Sequence, residues 1–60
     1  MIQISKNDKT ILNSGDIGIV DEVMVKDKKF LVYVAEINKV VEVIRDNIKA
    51  VVQYEEIRIA

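Results

Sequence analysis

A mainly β domain, with five short strands and one C-terminal helix and stable only as a symmetric dimer, is the fold that three observations predict. The chain has 60 residues, and a chain of that length buries only about 60% of the surface it exposes when unfolded, which leaves it marginal alone. Half of its residues are apolar, yet it contains neither cysteine nor histidine. A disulfide or a conventional zinc site therefore cannot staple it, and association with a second copy is the route that remains. Third, the apolar residues alternate along short runs separated by turn formers, the period of strands.

The elements follow in order. Residues 1–5 read as a strand with Ile2 and Ile4 on one face, and Lys6-Asn7-Asp8-Lys9 is a polar turn leading to a short strand at 10–13. Asn13-Ser14-Gly15-Asp16 gathers turn formers, after which Ile17, Ile19, Val23 and Val25 alternate along a strand at 17–25 that Asp21 interrupts. Gly18 inside that strand signals a bulge or a close backbone approach. The charged turn Lys26-Asp27-Lys28-Lys29 precedes a strand at 30–37 that is apolar on both faces, and such a strand is expected to be covered on both. From Ile37 to Val52 the apolar residues also fit helical spacing. The β-branched run Val40, Val41, Val43, Ile44 favours a strand at 40–44. Asp46 then serves as cap for a helix at about 47–55, whose stripe would be Ile48, Val51 and Val52. With no proline, low-complexity stretch or repeat, residues 1–60 read as a single domain.

Composition bounds the function. Nine Lys and Arg against ten Asp and Glu give a net charge of −1, so nucleic acid would need a local basic patch rather than a general attraction. Neither a signal peptide nor a membrane span is visible, and the cysteine-free chain fits a reducing compartment, so it is read as cytoplasmic with no membrane partner. Without histidine or cysteine, and with no acidic pair or phosphate-cradling glycine loop, nothing points to catalysis, a metal, a cofactor or a small-molecule substrate.

Three stretches, in order and with similar spacing, resemble the carbon storage regulator family over about residues 1–53. These are Ile2-Gln3-Ile4-Ser5-Lys6, then Thr10-Ile11-Leu12 with Gly15-Asp16 and the strand to Val25-Lys26, and finally Val41-Glu42-Val43-Ile44-Arg45-Asp46-Asn47-Ile48. The resemblance implies an intertwined homodimer of a bacterial or phage RNA-binding regulator. In it the first strand of one protomer lies beside the last strand of the other, and each of two symmetric sites holds a GGA-containing loop of mRNA or small RNA to block translation. Carried onto this chain, the RNA-binding residues are Ile4, Ser5, Lys6, Val41, Ile44 and Arg45. Each also has a plain structural reading: Ile4 as core, Lys6 as a solvated turn charge, Arg45 as the residue closing a strand and pairing with Asp46. The chain departs from the family pattern at Asn7, at Ile37-Asn38, at Ile44 and in the glycine-free turn Lys26–Lys29.

The alternative from another class is a small SH3-like barrel acting as a protein-interaction module, since Gly15–Val20 and Val41–Val43 also resemble strands of such barrels. Residues 46–56 discriminate: a helix there favours the regulator, extended structure the barrel. A regulator fold that binds a protein partner in place of RNA is the third reading.

Overall fold

A computed structural model describes residues 2–60. Six strands, β1 (Lys9–Leu12), β2 (Ile17–Val25), β3 (Lys29–Val34), β4 (Lys39–Ile44), β5 (Ile48–Gln53) and β6 (Glu56–Ile59), make one sheet of order β4-β3-β2-β1-β5-β6. Every neighbouring pair is antiparallel. The chain is mainly β, as its alternation predicts, and no helix among the described residues is long and apolar enough to cross a membrane.

The predicted helix at about 47–55 is replaced by a single 3₁₀ turn, Arg45–Asn47, followed by two strands, and the Asp46 side chain makes no capping bond. The cause is a bulge. Leu12 pairs with Ile48 whereas Ile11 pairs with Ala50, so Lys49 is an extra residue in β5. Ile48 and Val51 consequently both face the core at a spacing of three, a spacing that also fits one face of a helix.

The strand predicted at 1–5 is also corrected over residues 2–5, which form no ladder, while Met1 lies outside the described residues. Side chains pin this segment instead. The Arg45 Nη2 donates to the Ile2 carbonyl at 2.6 Å, and Gln53 Nε2 donates to the Gln3 carbonyl at 3.0 Å. Ile4 is thereby held in the core, 2% exposed. The strand expected to run to residue 37 stops at Val34, because Ala35–Asn38 form a turn with Asn38 at φ 51°.

One face of the sheet encloses the core. Leu12, Val20, Phe30, Val32, Val34, Val43, Ile48 and Val51 join Ile4 in a single cluster. A flat sheet would hold β4 and β5, four places apart, at about 19 Å. That Val43 and Val51 share one cluster requires the sheet to curl. Asn13 ties the curl: its N–H donates to the Asn47 carbonyl and its Nδ2 to the Asp46 carbonyl. Two local features permit it. Register shifts near Asp21 and Met24 bend β2. At Gly18 a Cβ would run into Val32 Cγ1 and stand 3.0 Å from the Tyr33 carbonyl, so the close approach read from the sequence is present. Thr10, the one buried polar residue among those described, donates its hydroxyl to the Gly18 carbonyl at 3.0 Å.

Candidate interaction surface

Because strand side chains alternate, the residues between the core positions form the outer face. Register fixes which of them are neighbours. Val40 lies opposite Tyr33, Tyr33 opposite Ile19, Ile19 opposite Lys9, Lys9 opposite Val52, and Val52 opposite Ile57. One row therefore crosses all six strands, and five of its six residues are apolar or aromatic. The adjoining row, Ile17, Ile11, Ala50 and Ile59, is wholly aliphatic.

Much of this face is open. Ile17 is 52% exposed, Val40 48% and Ile59 76%. Ala50 belongs to the same row yet is buried, flanked in register by Ile11 and Ile59. The covering on both faces that the sequence predicts for the strand beginning at Phe30 is thus met on one face only. Phe30, Val32 and Val34 are buried, while Leu31 and Tyr33 are half-buried on the other side. Single exposed apolar side chains are ordinary, but contiguous rows of them mark interaction sites. Lys9 puts one charge inside the patch, and Glu22 and Glu42, both opposite Leu31, border it.

The six residues assigned to RNA by resemblance do not assemble into one exposed edge. Ile4 is core. Ser5 and Lys6 are exposed near a turn whose Asp8 carboxylate accepts from the Ser5 N–H at 2.8 Å. Val41 is half-buried against the core, whereas Ile44 is 47% exposed on the outer face of β4. Arg45 is turned inward: its side chain is 12% exposed, Nη2 is held by the Ile2 carbonyl, and Nη1 stands 4.0 Å from the Asp27 carboxylate. The pairing with Asp46 read from the sequence is not its arrangement. The juxtaposition expected between protomers, the arginine beside the first segment, occurs here within one chain.

Sequence reasoning did not single out Ile17, Ile19, Tyr33, Val40, Ile57 or Ile59 as a site. The one signal present, two apolar faces on the strand from Phe30, implies a second surface to be covered and reaches Tyr33 alone among them. Comparison with protein-family models, with curated proteins and with solved structures finds no match.

Proposed function

We propose that the chain is a small SH3-like barrel serving as a protein-interaction module, with the outer apolar rows as its working surface. The observation that carries this reading is the run Ile19-Tyr33-Val40, exposed at Ile19 and Val40 and half-buried at Tyr33, with exposed Ile17 beside it, on the outside of a sheet whose inner face is already filled. Residues 48–53 and 56–59 are extended, the feature that favours the barrel over the regulator.

The arrangement of charge supports a protein partner more than RNA. Phosphate recognition calls for lysine and arginine gathered on one surface. Here Lys29 is engaged by Glu42 at 3.2 Å, and the Arg45 guanidinium is committed inside the chain to the Ile2 carbonyl.

A photo-crosslinking amino acid placed at Val40, with Lys28 as control, tests the reading in the native cell. Discrete protein adducts are expected from position 40 and not from 28, and they should disappear when Ile19→Asp is added. A chain that instead discriminates a GGA hairpin from a scrambled loop in a titration would overturn this reading and restore the RNA-binding regulator.

A further inference from the structure

We propose that β6 pairs edge to edge with β6 of a second copy, joining two six-stranded sheets into one continuous sheet about a twofold axis. This names one partner for the outer surface and rests on the interaction-module reading, but its evidence is the edge strand itself.

The backbone supplies the first constraint. Ala60 donates its N–H to the Lys49 carbonyl on β5, and along a strand the polar groups of successive residues point to opposite edges. Arg58 and Glu56 therefore also face β5, and the N–H and C=O of Ile57 and Ile59 face the open side. Only twofold registers that place these open groups against each other satisfy them. Three exist: Ile57 opposite Ile57, Ile57 opposite Ile59, or Ile59 opposite Ile59.

Charge then chooses among them. With Ile57 opposite Ile59, Arg58 falls directly opposite Arg58, and facing like charges are destabilising. With Ile59 opposite Ile59, Arg58 faces Ala60 and no opposite charges meet. With Ile57 opposite Ile57, Glu56 of each copy falls opposite Arg58 of the other, twice by symmetry. Glu56 and Arg58 already form a pair along one strand at 3.2 Å, so the two copies would build a ring of four alternating charges. The sequence Glu56-Ile57-Arg58 is thus self-complementary in one register alone.

The other open edge is not. On β4 the Arg45 N–H donates to the Lys28 carbonyl, so Val40, Glu42 and Ile44 present the free backbone groups. In the twofold registers of that edge Glu42 meets Asn38, Val40, another Glu42, Ile44 or Asp46, and never a base.

Two further observations favour a second copy on β6. All four of its residues are exposed, so its own chain gives it little packing. It is also reached through a two-residue turn, Tyr54-Glu55, with φ 52° and 64°, a left-handed pair normally filled by Asn-Gly. A bare edge strand behind a strained turn is held weakly by its own chain, and pairing would stabilise it. The paired strands would also bring Ile57 and Ile59 of both copies onto one outer face, extending the apolar rows across the junction.

Sedimentation equilibrium of the whole chain tests the proposal. An interface this small belongs with weak associations, with Kd on the order of 10–100 µM. Arg58→Glu and Glu56→Arg, each alone, turn two attractive pairs repulsive and should raise Kd about tenfold or more. Mixing those two variants should restore a dimer, because every facing pair is then opposite in sign, and the double variant E56R/R58E should dimerise like the parent. Ile57→Pro removes an N–H that the hairpin does not use and should abolish association while the circular dichroism of the fold is retained. A parent chain that stays monomeric at about 1 mM, well above that Kd, overturns the proposal, as do dimers indifferent to these changes or charge variants that fail to complement each other. If the parent chain is monomeric at that concentration while crosslinks from Val40 persist, self-pairing fails and the interaction module stands.

Discussion

Gly18 and Arg45 show how single residues fix this fold. Gly18 pairs with Val34 in β3, and a methyl group there would collide with the fully buried Val32. Val32 is enclosed by the core and has little room to rotate away, so Gly18→Ala is expected to cost about 1–3 kcal/mol, as overpacking of a filled core does. A urea unfolding midpoint checks this, and an unchanged midpoint would mean that β2 and β3 shift apart freely. Arg45 holds the Ile2 carbonyl from the end of β4. Its replacement by alanine should therefore be a stability variant, lowering unfolding free energy by roughly 1–3 kcal/mol, the range for a hydrogen bond to a charged group and its desolvated acceptor. The same measurement decides: Arg45→Ala with parental stability would show that the guanidinium clip contributes nothing. Ile4→Ala should cost about 2–5 kcal/mol by leaving a cavity beneath the same segment.

Among the elements, the β5–β6 hairpin is the one the sequence hid. Its turn residues, Tyr54 and Glu55, carry no turn signal, yet both adopt left-handed backbone at about 1–2 kcal/mol each. Tyr54→Asn with Glu55→Gly should relieve much of that cost, and slower amide hydrogen exchange at Ala60 and Arg58 is the expected readout. Exchange no slower than in the parent would place the strain elsewhere. The strands from Ile17 to Ile44 were legible because each inward residue is followed by an outward one and because Asn13–Asp16 and Lys26–Lys29 are recognisable turns. β5 was not, since its extra Lys49 converts a period of two into a spacing of three, and periodicity then supports a helix. The first segment was half legible: Ile4 does reach the core, but from a stretch without a ladder. Of the interaction surface, only the doubled apolarity of the strand from Phe30 could be read. Which of its neighbours completed the surface depended on register, and register was set by bulges at Asp21, Met24 and Lys49 that composition does not announce.

For the molecule as a whole, the central fact is that β1 stands between β2 and β5, pairing Lys9 with Ile19 on one side and with Val52 on the other. The first partnership joins residues ten apart and the second residues forty-three apart. Loop closure over the longer separation costs more chain entropy, and the contacts that offset it arrive only with the sheet's curl. The β2-β3-β4 meander is local and should collapse first. The side of β1 that β5 will occupy then stays unpaired. Folding of the purified chain is expected on the millisecond-to-second scale of non-local β topologies, with Val51→Ala lowering the unfolding barrier more than it raises the folding barrier. Stopped-flow refolding measures this, and a mainly slowed folding limb would put β5 in the early nucleus. During synthesis the same order has a temporal meaning. Ile4 and Thr10 are made well before β5, so the strand that seals them always follows them out of the ribosome. A nascent chain therefore carries an open β1 edge until β5 has emerged and paired.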